Sequence, residues 1–311
     1  SRGARMWGFA NDDFHDPADF GRAWNMVWVD SSTPSGVMRA LASQGIPVPW
    51  TLLLVEDESV IGRAFYLMEH VEGRIFWEQS LPDASVAERG AIYDEMNRVI
   101  AALHSVDVAA VGLADYGKPG SYSERQIGRW SKQYVASETQ AIPEMNRLIE
   151  WLPAHLPATA RDGSQVSIVH GDFRLDNLIF HASEPRVTAV LDWELSTLGH
   201  PLADFSYHCM SWHIPPGTFR GIGGLDLAAL GIPSEREYVR RYCERTGRAD
   251  PDAVMADWNV YLAYNLFRLA AITQGIAKRV VDGIASSAQA RATGSATSTL
   301  AQMAWRFAEA A

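Results

Sequence analysis

Residues 167–180 read S-I-V-H-G-D-F-R-L-D-N-L-I-F, and residues 187–205 read V-T-A-V-L-D-W-E-L-S-T-L-G-H-P-L-A-D-F. Two short apolar runs, Val166–Val169 and Val187–Leu191, have the length and β-branched content of strands. Each ends in an acid: His170-Gly171-Asp172 follows the first, and Asp192-Trp193-Glu194 ends the second. Between them Asn177 heads a third apolar run, Leu178–Phe180. Acids at the ends of neighbouring strands, with an amide five residues beyond the first, can converge on one metal–phosphate site. Such oxygen donors suit Mg²⁺, which keeps several waters and takes one or two carboxylates plus substrate phosphates. Singly, Asp, Asn and Gly after strands are ordinary turn formers; the strand contexts on both sides make them site candidates. His170 is expected to order the turn, Asp204 to act as a buried cap, and Arg174 to neutralise a phosphate or pair with Asp176.

The blocks H-G-D-x-x-x-x-N, L-D-W-E and G-x-P-L-A-D-F resemble the aminoglycoside phosphotransferase family, relatives of the protein kinases. They are most similar to the kinase-like domains related to those attached to acyl-CoA dehydrogenases, and the match runs from about Val48 to the C-terminus. The resemblance implies Asp172 as the catalytic carboxylate receiving a substrate hydroxyl proton, and Asn177 and Asp192 as Mg²⁺ ligands, as in the kinase pattern H-R-D-x-x-x-x-N with its later Asp. It implies a hinge at Met68–Gly73, where backbone groups of Glu69 and Val71 contact the base of ATP or GTP. It also implies a hydroxylated acyl compound or other small metabolite as acceptor.

Composition narrows the partners. With 311 residues and 47% hydrophobic content the chain has ample core for one large or two modest domains. A net charge of −10 argues against nucleic acid, whose binding wants a basic face; acidity can favour a cationic substrate or simply solubility. Cys209 and Cys243 are too few for a disulfide framework or zinc site and read as reduced thiols. No apolar run approaches a membrane span and no signal peptide opens the sequence, so a cytoplasmic protein without membrane contact is expected.

The opening residues lack clear strand alternation although they carry Trp7, Phe9, Phe14, Phe20, Trp24 and Trp28. A kinase-type small lobe should hold a glycine-rich phosphate cover and a strand lysine paired to a helix glutamate. The chain's three lysines are Lys118, Lys132 and Lys278, all after the hinge. Around Val37–Leu41 the sequence resembles the end of the paired-glutamate helix, but Pro34 stands near the glutamate's place and the nearest upstream acid is Asp30. The lobe is therefore remodelled, shortened or incompletely represented; Arg22, Arg39 and Arg63 are the candidates to replace the lysine electrostatically, although an arginine fork is not a point charge.

Beyond Gly45 the pattern is regular. Trp50–Val55 and Ala64–Met68 read as strands. Ser85-Val-Ala-Glu88 and Ser234-Glu-Arg-Glu237 are capping boxes. The first opens a helix with a core face at Ile92, Met96, Val99, Ile100 and Leu103, closing at His104, a packed end residue. Helices are expected at Ser121–Ser137, with Trp130 and Tyr134 in the core, and at Pro143–Leu156. Ile214–Gly224 reads as a loop on the substrate side, and Asp250-Pro251 as a cap followed by proline at the first helical position. An apolar stripe follows through Val254, Trp258, Tyr261, Leu262, Asn265, Leu266 and Leu269 to Gly275, with Asp257 and Asn259 on its solvated faces. A closing helix ends the chain. Gly221-Ile-Gly223-Gly224 lacks the leading strand of a dinucleotide fingerprint.

The expected architecture is an α+β, protein-kinase-like, two-lobed fold: a small N-terminal lobe over residues 1–72 and a large, mainly helical lobe over 73–311. Its expected activity is Mg²⁺-dependent transfer of the terminal phosphate of ATP or GTP to a small-molecule hydroxyl. Two other classes stay open: a pseudokinase that binds nucleotide or ligand without turnover, and a metal-dependent hydrolase using Asp172, Asp192 and Glu194.

Overall fold

The computed structural model describes residues 26–28, 33–60, 62, 65–118, 121–161, 163, 165–217, 220–247, 250–284 and 290–311. The readings that involve Trp7, Phe9, Phe14, Phe20, Arg22, Trp24, Asp30 and Arg63 lie outside these residues.

Among the described residues the N-terminal part holds a three-stranded antiparallel sheet, ordered β1 (Met26–Trp28), β3 (Phe65–Met68), β2 (Thr51–Val55), with α1 (Thr33–Ser43) against it. Met26–Trp28 lie in a region that shows no alternation, yet they pair with Phe65–Leu67. Three residues are too few for a period-2 pattern to show, and pairing to a distant strand makes them a strand. α1 buries Val37, Met38 and Leu41, the i, i+1, i+4 spacing of a single helical face, and leaves Arg39 exposed. It contains no acidic residue in its eleven positions.

Residues 69–72 leave β3 without regular structure. Glu69 N–H donates to Trp50 C=O at 2.9 Å, and Arg74 then exchanges backbone bonds with Phe180 at 2.7 and 2.8 Å. A Cβ on Gly73 would stand 2.3 Å from Phe180 O, so only glycine lets the connector lie this close.

Among the remaining described residues the structure is helical around two small two-stranded antiparallel sheets. In order come α2 (Val86–His104), α3 (Tyr122–Ser137), α4 (Pro143–His155), α5 (Ala158–Arg161), β4 (Ser167–Val169), β5 (Leu178–Phe180), β6 (Val187–Val190), β7 (Thr197–Gly199), α6 (Pro201–Cys209), α7 (Leu227–Leu230), α8 (Glu235–Thr246), α9 (Pro251–Ala256), α10 (Trp258–Val281), α11 (Ala290–Ser295) and α12 (Thr297–Glu309). α10 is buried over most of its circumference, as a central helix must be when α3, α6 and α12 pack on it. The apolar stripe is not one helix: α9 stops and α10 starts at Asp257, and α10 runs past Gly275 to Val281. Both cysteines are buried and unbridged. Among the described residues no helix is long and apolar enough to cross a membrane.

Two expectations need correction. The strands that end in acids are not sheet neighbours: β4 pairs with β7, and β5 pairs with β6. Ser85 caps α2 by accepting from Glu88 N–H at 3.2 Å, but Glu88 does not close the box. Its carboxylate goes instead to Arg74 Nη1 at 2.6 Å. The box at Ser234 and Glu237 forms in full.

Candidate active site

The link that strand pairing does not supply comes from a histidine. His170 Nε2 donates to Leu191 C=O at 2.8 Å, while Nδ1 accepts from the Asp172 N–H at 3.2 Å. One neutral tautomer meets both demands. Burial pushes the imidazole pKa down, outweighing the opposite pull of Asp204 and Asp172, so His170 orders this turn. Leu191 N–H donates in turn to Asn177 C=O at 2.8 Å. The segment holding Asp192 is thus fastened to the segment holding Asp172 and Asn177.

Asp204 holds the turn from below. Its Oδ2 accepts from His170 N–H at 2.7 Å, and its Oδ1 accepts from Gly171 N–H at 2.8 Å. His104 Nε2 stands 3.1 Å from Oδ2, and His104 Nδ1 lies 2.7 Å from the Tyr242 hydroxyl. Burial works to raise the Asp204 pKa, but the bond from His104, the two histidines and the His170 amide outweigh it and leave it below the ordinary carboxylate value. Asp204 therefore clamps the H-G-D turn rather than capping α6, whose N-cap is His200. Gly171 has φ 85°, and a Cβ there would meet Leu195 O at 2.8 Å.

Asp172 is ringed by donors. Tyr207 OH donates to Oδ1 at 2.5 Å, Asn177 Nδ2 to Oδ2 at 3.2 Å, and Arg174 Nη2 reaches Oδ2 at 3.0 Å. Asn177 Nδ2 also bonds the Asp172 carbonyl at 2.9 Å, so its amide oxygen is the group left to face a cation. Arg174 lies 3.5 Å from Asp176 Oδ2 as well, the same oxygen that Arg220 Nη1 holds at 2.5 Å. Burial would discharge Arg174, but Asp172 and Asp176 outweigh it and raise its pKa, so it stays charged. Asp192 sits at φ 66°, ψ 58°, a left-handed conformation that costs a non-glycine residue on the order of 1 kcal/mol.

Asp172 and Asp192 line one cavity of about 710 Å³, together with Glu194, Arg174, Arg220 and Arg268. Its far wall is Leu269, Ile272 and Ile276 of α10, with small residues from α11 and α12. The loop expected on the substrate side does reach it, through Gly217 and Arg220. Glu69 and Val71 are not among its walls; they lie on the connector, where Glu69 bonds to Trp50 before Arg74 meets β5. Asn177 is tied to it through Asp172 and is nearly buried. Among the described residues no three His, Cys, Asp or Glu side chains gather as a metal-holding group. Two oxygen donors, Asp192 and the Asn177 amide, fit an ion that keeps its own waters.

Tyr207, Arg220 and Arg268 went unread as site residues. Tyr207 belongs to an apolar run with Ala203 and Phe205, and Arg220 lies inside the proline- and glycine-rich loop 214–224. Arg268 did leave a signal: a lone charge between Phe267 and Leu269, inside an otherwise apolar stripe.

The sequence model of the phosphotransferase enzyme family, APH, matches residues 35–254. Acyl-CoA dehydrogenase family member 10 of Mus musculus is 49% identical over 274 residues, which is 88% of this chain and 25% of the mouse protein. A putative aminoglycoside phosphotransferase from Ralstonia eutropha, a solved structure, is 55% identical with a TM-score of 0.82 and covers 94% of each chain. Aminoglycoside 2'-phosphotransferase-IIIa, solved with GDP, shares the fold at 13% identity, with a TM-score of 0.57 over 91% of this chain and 86% of that one. The chain spans about a quarter to a third of the length of the curated relatives it matches.

Proposed function

This chain belongs to the APH phosphotransferase enzyme family, and from that premise we propose that it moves the terminal phosphate of ATP or GTP onto a hydroxyl of a small molecule, with Mg²⁺ as cofactor. The observation that carries the reading is the cavity shared by Asp172 and Asp192, with the Asn177 amide bonded to Asp172 beside it. Phosphoryl transfer asks little covalent work of a protein; it asks for alignment and charge neutralisation. Asp172 orients the acceptor hydroxyl and takes its proton late. Asn177, through its amide oxygen, and Asp192 hold Mg²⁺, which when bound offsets charge on the donor phosphates. Arg174, kept charged beside Asp172, faces the transferred group. Backbone groups of Glu69 and Val71 read the base, at a hinge that closes the small lobe at about Glu72. The neighbour solved with GDP is the reason to test GTP beside ATP.

The apolar far wall, Leu269, Ile272 and Ile276, next to Arg220 and Arg268, suits an acceptor with an aliphatic stretch better than a polycation. A hydroxylated acyl compound is the class we favour. The test is thermal-shift binding of ATP and GTP with and without Mg²⁺, followed by phosphate transfer across a panel of hydroxylated metabolites. Asp192→Ala should lower turnover by on the order of 10²–10³; wild-type turnover in that variant removes the metal assignment.

One observation favours a second reading, a nucleotide-binding pseudokinase. α1 carries no acid, and all three lysines of the chain follow the hinge. That reading predicts Mg-ATP binding in calorimetry with no transfer to any acceptor.

A further inference from the structure

An ionised carboxylate offers about four acceptor positions, two on each oxygen. On Asp172, Oδ2 faces two donors, Asn177 Nδ2 at 3.2 Å and Arg174 Nη2 at 3.0 Å. Oδ1 receives one, the Tyr207 hydroxyl at 2.5 Å. The position left for an incoming hydroxyl is therefore on Oδ1, next to the phenol.

Tyr207 is built to hold that place. Its ring is buried, and the Arg268 guanidinium lies 4.8 Å over the ring centre. Arg268 also donates from Nη2 to the Gly171 carbonyl at 2.6 Å, so one arginine of α10 fixes both the phenol and the residue before Asp172. A phenylalanine would fill the same space against Arg268 and the rest of α6. Packing alone does not account for the hydroxyl, which points at the proposed base in the wall of the cavity.

We propose that Tyr207 is a positioning residue for phosphoryl transfer: it turns the Asp172 carboxylate and directs the acceptor hydroxyl to Oδ1. This rests on the phosphotransferase reading above. Burial first, then the Asp172 charge, raises the Tyr207 pKa, so the phenol stays a donor and is not itself the base. The acceptor proton goes to Oδ1 as the new oxygen–phosphorus bond forms and the donor's terminal bridging bond breaks, its electron pair leaving with the nucleoside diphosphate.

The variant is Tyr207→Phe, measured on the whole chain. Steady-state Mg-ATP turnover is followed with water as acceptor and with the panel of hydroxylated metabolites, beside the thermal midpoint. The expected result is a fall in kcat of about 10- to 100-fold, the scale of a misplaced reacting group. KM for ATP stays at the wild-type value, since the hydroxyl does not touch the nucleotide hinge, and the midpoint falls by no more than about 3–6 °C, the loss of one charge-assisted bond. Unchanged kcat overturns the proposal. So does a loss of kcat matched by a raised KM and a midpoint lowered beyond that range, which marks a merely structural role. If the wild type turns over nothing, the phosphotransferase reading fails on its own, and crystal structures of the two proteins decide the positioning. An Asp172 carboxylate rotated by more than about 30° in Tyr207→Phe supports it; an unmoved carboxylate overturns it.

Discussion

Replacing Asp204 by asparagine tests whether the H-G-D turn is held from beneath. Both carboxylate oxygens accept backbone N–H groups, from His170 at 2.7 Å and Gly171 at 2.8 Å, in a site closed to water. Asparagine keeps the shape but has one acceptor; however its amide is turned, the NH₂ faces an N–H. One charge-assisted bond, worth about 1.5–3 kcal/mol, is lost, and the orphaned buried N–H adds part of a further 1–3 kcal/mol. Allowing for overlap between these, Asp204→Asn should destabilise the fold by about 3 kcal/mol. At about 2 °C per kcal/mol for a chain of this size, the thermal midpoint drops by about 6 °C. Differential scanning calorimetry reads the midpoint, and Mg-ATP turnover reads the displaced Asp172. There is a second signature. The Asp204 pKa is lowered in the fold, so its contribution is complete above the unfolded value near 3.9 and is lost as pH falls through the folded value. The wild type should therefore lose stability below about pH 4 more steeply than the variant. A variant midpoint within about 1 °C of wild type, with turnover intact, would show that the turn does not depend on this clamp.

Two further outcomes are expected. His208 is buried against the Tyr238 hydroxyl at 2.8 Å, and burial pushes its pKa down to about 4. The unfolded chain therefore binds a proton near pH 6.5 that the fold refuses, and stability falls between pH 6.5 and 4 by roughly 3 kcal/mol from this group. His208→Gln should flatten the pH dependence of chemical denaturation over that window; equal slopes would refute the assignment. Gly73→Ala places a methyl 2.3 Å from Phe180 O and should destabilise by about 1–3 kcal/mol, while Gly36→Ala, with open space around it, should not. Urea melts of the two variants compare them directly, and equal midpoints would count against the close packing of the connector on β5.

The motif stretch made the acids, the amide and their strand contexts legible, because short apolar runs bounded by turn residues are a local signal. Which strands pair was not legible. Three-residue strands such as β4 and β7 carry no alternation, and their partners are chosen by contacts thirty residues apart. The role of His170 was readable as turn-ordering, but not that its ring would join the two acid-bearing segments. Glu88 matched a capping pattern perfectly well in sequence; a guanidinium fourteen residues upstream drew its carboxylate away. Tyr207 and Arg268 reach Asp172 and Gly171 from α6 and α10, and only the packing of those helices puts them there.

Leu191 carries two hydrogen bonds in opposite senses, its carbonyl accepting from His170 Nε2 and its N–H donating to the Asn177 carbonyl. A single apolar residue thereby staples the Asp172 and Asp192 segments within the helical lobe. One further backbone bond, from Val190 N–H to Pro47 C=O at 2.8 Å, joins that staple to the segment before β2. On the phosphotransferase reading proposed above, drift in the small sheet would alter nucleotide binding first and reach the acid pair only through contacts such as that bond.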